Sequence, residues 1–210
     1  MSLGHLLILG AGGHGKVVAD AALLSGWKSV SFLDDRWPTF SNLNDWNVVG
    51  AFQDLEKYVE SFQGIFVAVG SNRLRSNLLI RLESLGAPIT SIIHPSAIVA
   101  RNVVIGQGSA CLAGAVINIG STVGRGVIVN TGASVDHDCV LGDFTHVCPG
   151  ARIAGGVHIE SCGWVGIGSS VIENICIGSE VVIGAGAAVI SDIPPNSTVV
   201  GIPARVIKQD

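Results

Sequence analysis

The stretch Ala133 to Gly150, ASVDHDCVLGDFTHVCPG, concentrates side chains that could do chemistry. His137 stands between Asp136 and Asp138, and His146 follows nine residues later. An imidazole titrates near neutral pH and can take a proton from an attacking amine or hydroxyl. A carboxylate on its other ring nitrogen would fix the tautomer and raise its basicity, and either Asp136 or Asp138 could supply one. A solvated polar turn is the competing reading, and the surrounding elements must decide between them.

A second cluster lies near the N-terminus. Gly10-Ala11-Gly12-Gly13-His14-Gly15 follows an apolar run and precedes a helical pattern, and Asp34 and Asp35 close the next apolar run. This is the spacing of a phosphate-cradling glycine loop, where backbone N–H groups and a helix N-terminus meet a diphosphate. The α/β part provides only one mononucleotide-binding half, so a nucleoside diphosphate sugar fits it better than a dinucleotide.

Composition narrows the classes. The chain has 48% hydrophobic and 13% charged residues, 28 glycines and a net charge of −4. It is too apolar for disorder and offers no basic footprint for nucleic acid or an anionic membrane. The uncharged run Val103–Gly124 is long enough to span a bilayer. Its Gln107, Asn118 and repeated glycines read instead as buried soluble structure, and no membrane insertion is expected. The N-terminus lacks the pattern of a signal peptide, and five cysteines without CxxC spacing suggest reduced thiols, so a cytoplasmic location is expected.

Residues 1–92 read as alternating strands and helices around a small parallel sheet. Strands are expected at 5–10, 29–34 and 65–70, and helices at 14–25, 52–62 and 73–86, with PTFSNLND as a loop. From about residue 97 the period changes. Every sixth residue from Val99 to Val189 is apolar, sixteen in succession without an insertion. The residue two places earlier in each hexad is small or aliphatic throughout, so both point to one side of a short strand. Such a repeat predicts a parallel β-helix over 93–210, with three hexads per coil and residues 18 apart stacked. His137 then falls at a corner, stacked between Ile119 and Gly155, with Gly155 leaving space beside it. His146 falls on another wall, between Ile128 and Trp164. The outward second positions Ile98, Val104, Val116, Ile128, Val140, Trp164 and Val182 are read as an exposed apolar wall and hence an interface.

The repeats IGQG, LGDF, VGIG, IGSE and IGAG, with the ending SDIPPNSTVVGIPARVIK, resemble the hexapeptide acyltransferases, over nearly all of 97–207. That resemblance implies a left-handed winding and a homotrimer with active sites at the subunit interfaces. Within that superfamily, VDHDCVLGDFTHVCPGARIAGG resembles bacterial nucleotide-amino-sugar N-acetyltransferases of the sialic acid O-acetyltransferase family. The resemblance implies His137 as general base, Asp138 as the residue that tunes it, and His146 in contact with acetyl-CoA. Asp138 stands where some members carry Glu, with a shorter reach. Further contacts to the CoA arm are implied near Gly155, Ile167 and Ala185. On the N-terminal domain, the resemblance places Gly12, Gly13 and His14 at the diphosphate or sugar and Asp34 and Asp35 near the nucleoside, with Gly70 as a further contact.

The implied reaction is acetyl transfer from acetyl-CoA to the amine of a UDP- or GDP-linked amino sugar. Acetylation of a sugar or sialic acid hydroxyl, and a non-catalytic scaffold that binds nucleotide sugars, are the alternatives. A zinc enzyme of the γ-carbonic-anhydrase type shares the prism but needs a close histidine pair on one chain. His137, His146 and His158 lie nine and twelve residues apart on different walls, so no metal is expected.

Overall fold

The computed structural model describes residues 3–209. The chain divides into two compact units, Met1–Pro95 and Ser96–Asp210, where the sequence suggested a boundary between residues 92 and 93.

In the first unit, β1 (Leu3–Leu9), β2 (Trp27–Leu33), β3 (Asn42–Leu43), β4 (Trp46–Gly50) and β5 (Gly64–Val67) form one sheet in the order β3-β4-β2-β1-β5. The pairs β1–β2, β1–β5 and β2–β4 are parallel, and β3–β4 is antiparallel. Leu6 to Leu9 are fully buried, as a central parallel strand covered on both faces requires. Helices α1 (Gly13–Leu24) and α2 (Asn72–Ser84) follow β1 and β5. The chain leaves β1 toward β2 on one side and returns to β5 on the other. The carboxyl ends of β1 and β5 therefore flank a topological switch point, where open α/β sheets place their ligands.

Two expectations in this unit are corrected. The segment taken as a loop contains β3, and β4 was not foreseen; together they make a hairpin that extends the sheet edge. The expected helix over 52–62 is a 3₁₀ segment, Phe52–Lys57, followed by turns. Its anchors Phe52, Leu55 and Tyr58 are three apart, which suits three residues per turn. Asp54 tightens it by accepting the Ala51 N–H at 3.0 Å and the Lys57 ammonium at 2.6 Å.

The second unit is a three-walled parallel β-helix. The first wall stacks Ile98–Val99, Val116–Ile117, Ser134–Val135, Arg152–Ile153, Ser170–Val171 and Ala188–Val189. The second runs from Val104–Ile105 through Val140–Leu141 and His158–Ile159 to Cys176–Ile177. The third carries Ala110–Cys111, Ile128–Val129, His146–Val147, Trp164–Val165 and Val182–Ile183, and ends in a hairpin of Ser197–Val200 with Arg205–Gln209. Partners in each ladder are 18 residues apart, as the hexad count requires. The sixth-residue row from Cys111 to Val189 is buried, and Val99 and Ile105 at the open end are partly so.

The hexad corners share one backbone conformation. From residue 102 to 186 every sixth residue has positive φ, mostly as glycine, with Asp138 at +57° among them. That left-handed conformation is tolerated by Gly and by short Asn or Asp side chains.

The outward apolar positions do not make one wall. Ile98 and Val116 lie on the first, Val104 and Val140 on the second, and Ile128, Trp164 and Val182 on the third, where Ile128 is fully buried. Successive hexads face three directions, so second positions six residues apart point away from one another and the expected single apolar wall does not form.

Candidate active site

The corner after the first wall's Ser134–Val135 strand presents the imidazole. His137 Nδ1 lies 2.9 Å from Asp138 Oδ2. The left-handed corner turns the short Asp138 side chain back onto its neighbour's ring, so aspartate reaches despite its length. Asp136 points elsewhere: its Oδ1 accepts the Asn118 amide at 2.7 Å and the His137 peptide N–H at 2.8 Å. Asp138 therefore orients the ring, and Asp136 acts on it through its charge. The hydrogen bond to Asp138, then the charge of Asp136, raises the His137 pKa above its ordinary 6.5. Asn118 and the His137 amide in turn hold the Asp136 carboxyl below its usual range.

Two glycines in the stack make room for this pair. A Cβ on Gly155 would lie 2.6 Å from His137 Cε1 and Nε2, and one on Gly120 would lie 2.3 Å from Asp138 Oδ1. Gly120 was not singled out in the sequence; its position 18 residues before Asp138 is the signal that could have found it. Ala154, Gly155, Gly156, Glu173 and Asn174 line a cavity of about 430 Å³ around the dyad.

If His137 acts as a base, it must be neutral. Its raised pKa predicts that activity falls as pH drops through a value above 6.5. Asp138→Asn tolerates the corner backbone and removes the acceptor's charge, so the acid limb of the kcat/KM profile should move down. An unmoved limb would separate Asp138 from the titration.

His146, Ile167 and Ala185 come together on the third wall. With Pro149, Trp164 and Val182 they line an apolar cavity of about 360 Å³. The His146 ring meets Trp164 edge-on at 4.6 Å, and Asn130 Nδ2 donates to its Nε2 at 3.1 Å, which leaves the neutral ring's proton on Nδ1. Gly155 is not on this groove; it lies against the His137 ring. His137, His146 and His158 belong to three separate faces, and among the described residues no group of three His, Cys, Asp or Glu is placed to hold a metal ion.

In the first unit, the glycine loop divides its labour. Gly10 needs its φ of +106°, and a Cβ on Gly15 would strike the Gly10 carbonyl oxygen at 2.1 Å. A Cβ on Gly12, Gly13 or Gly70 would meet nothing, so these glycines border open space. The backbone at Gly12, which caps α1 without a side-chain bond, is thus approachable by an anion. His14 sits in the first turn of α1, with its pKa pushed down to about 4 by burial and by the charge of Arg75. Arg75, fully buried, donates to the Val69 and Gly70 carbonyls at 3.0 and 3.1 Å and braces the loop after β5.

The two aspartates are engaged within the fold. Asp34 Oδ2 accepts the Ala11 N–H at 2.9 Å, and both its oxygens take the Arg36 guanidinium. Asp35 accepts the Phe52 N–H at 2.9 Å. Arg36 and Arg75 were missed in the sequence, one inside an apparent loop and the other on an ordinary amphipathic helix.

A glycine-loop α/β unit joined to a hexad prism bearing a histidine–aspartate pair defines an acyltransferase architecture. A family model described as the PglD N-terminal domain matches residues 5–82. The acetyltransferase domain of PglB from Neisseria gonorrhoeae, solved with acetyl coenzyme A, is 41% identical over 97% of this chain and 98% of that one, with a TM-score of 0.93. PerB from Caulobacter crescentus, solved with CoA and GDP-perosamine, is 37% identical over 99% and 100%, with a TM-score of 0.92. UDP-N-acetylbacillosamine N-acetyltransferase of Bacillus subtilis is 37% identical over 112 residues, which are 52% of this chain and about half, 51%, of that relative. The chain belongs to this family of nucleotide-amino-sugar N-acetyltransferases, and its prism is the left-handed β-helix of their fold.

Proposed function

We propose that this protein transfers the acetyl group of acetyl-CoA to the amine of a UDP- or GDP-linked amino sugar. The observation that carries the reading is the His137–Asp138 pair, held at a glycine-cleared corner in the same unit as an apolar groove that suits a pantetheine arm. His137 Nε2 takes the proton as the sugar amine attacks the thioester carbonyl. The C–S bond breaks, and CoA leaves as the thiol after receiving that proton, with no acyl-enzyme. Gly12, Gly13, His14 and Gly70 border the nucleotide sugar on the first unit, and His146, Ile167 and Ala185 hold the acyl donor.

His137 and the groove face different directions on one prism. The proposed assembly is therefore a homotrimer in which the groove of one copy meets His137 of the next. Among the described residues no helix is long and apolar enough to cross a membrane, and the proposed setting is the cytoplasm, where acetyl-CoA and nucleotide sugars are made.

The test follows free thiol release from acetyl-CoA with UDP-, GDP- and CMP-linked 4-amino sugars and their 4-hydroxy counterparts. Turnover confined to an amino sugar is expected. Turnover only with hydroxyl acceptors would replace the reading, and binding without turnover would favour a scaffold. In the same assay Gly13→Leu, whose Cβ would meet nothing within the fold, should raise KM for the nucleotide sugar and leave KM for acetyl-CoA unchanged. Equal changes in both would remove the glycine loop from sugar binding.

A further inference from the structure

Asp34 stands where a dinucleotide-binding fold uses its acidic residue on a ribose hydroxyl. Here that carboxylate is already occupied. It receives the Ala11 N–H at 2.9 Å, Arg36 Nε at 2.7 Å, Arg36 Nη2 at 3.0 Å and the Arg36 peptide N–H at 3.1 Å. Arg36 Nη2 also donates to the Ala11 carbonyl at 2.9 Å. These bonds hold the guanidinium in one plane at the rim of the glycine loop, and its side chain is 55% exposed. The Phe40 ring lies beneath it, 4.2 Å from Cζ to the ring centroid. The opposite face of the guanidinium and its Nη1 donors make no hydrogen bond among the described residues. A flexible surface arginine would lose rotamer entropy on binding a ligand; this one has already lost it.

We propose that Arg36, clamped by Asp34 and backed by Phe40, is the residue that reads the nucleobase. The base lies edge-on to the guanidinium, in its plane, and Nη1 donates to a ring carbonyl oxygen while Phe40 supports the plane from below. The inference rests on the reading of the first unit as a nucleotide-sugar site. With the diphosphate at the N-terminus of α1, the nucleoside runs over the carboxyl end of β2, where Arg36 stands. Uracil and guanine each carry a ring carbonyl oxygen that can accept from Nη1, whereas adenine has none. Asp34 is then a positioning residue that ties the base-reading guanidinium to the phosphate-binding loop through Ala11.

Calorimetry with UDP, GDP and ADP tests this on the full chain. Wild type should bind UDP or GDP about tenfold or more tightly than ADP. Phe40→Ala, which leaves the Asp34 clamp in place, should weaken the preferred nucleotide and leave inorganic pyrophosphate binding unchanged. Arg36→Gln should abolish the preference, with UDP, GDP and ADP converging. Arg36→Lys retains the charge without the plane and should also fail to restore it. If both arginine variants bind the three nucleotides with wild-type affinities and ranking, Arg36 does not read the base. If they weaken pyrophosphate as much as nucleotide, its role is confined to phosphate or to loop support, and the inference is overturned. Wild type that binds no nucleoside diphosphate would overturn the nucleotide-sugar reading as well, which distinguishes the two failures.

Discussion

His137→Ala is expected to lower kcat by on the order of 100-fold or more, with an unchanged thermal midpoint and assembly state. The imidazole is largely exposed at a corner and contributes nothing to the interior stack, so its removal leaves the prism packed. Its loss removes the ring held against Asp138, and the sugar amine must then surrender its proton to water. KM for acetyl-CoA should stay near the wild-type value, because the apolar groove lies on another wall. Steady-state rates measured by thiol release, alongside circular dichroism of the variant, decide the matter. Wild-type turnover in a folded His137→Ala protein would exclude the base role.

The second large effect is steric. Gly155→Ala places a methyl group 2.6 Å from two atoms of the His137 ring, well inside contact distance. Gly155 does not use a positive φ, so the backbone accepts the substitution, and the ring is the part free to move. The expected result is a kcat lowered by about 10- to 100-fold through misplacement of the base, with little change in stability. The His137 side chain should also titrate closer to 6.5, since displacement stretches the bond to Asp138 that raises its pKa. Imidazole proton shifts followed against pH by NMR would report this. An unchanged titration together with unchanged kcat would show that the ring does not depend on the space Gly155 leaves.

The two units differed in how openly their sequences displayed them. The prism was legible because sixteen apolar residues keep one period without a break, and that period alone assigns every residue a wall and a stack mate. The neighbours Ile119 and Gly155 of His137 followed from counting, and the structure pairs them as counted. Gly120 was readable by the same count applied to Asp138. The same count also divides the seven apolar second positions among three walls, because successive hexads turn; only without that turn do they look like a single face. In the first unit, β3 escaped because a two-residue strand has no periodicity to detect, and β4 because its adjacent Val48 and Val49 break an alternating pattern. Phe52, Leu55 and Tyr58 looked helical because spacing of three serves both an α-helix and a 3₁₀ segment. Arg36 escaped for a different reason. Its meaning comes from the Ala11 peptide and Phe40, which the fold brings to it and the sequence does not.

The left-handed corners have a consequence for how such a protein can change. Each corner lies between two-residue strands, and the interior rows are complete without it. A loop grafted at one corner would project from an edge of the column and leave every ladder above and below in register. Asp138 occupies such a corner, so the proton-handling pair sits at a place where chain can be added. New acceptor pockets could therefore arise beside an unaltered base, through insertions that the column's packing does not oppose.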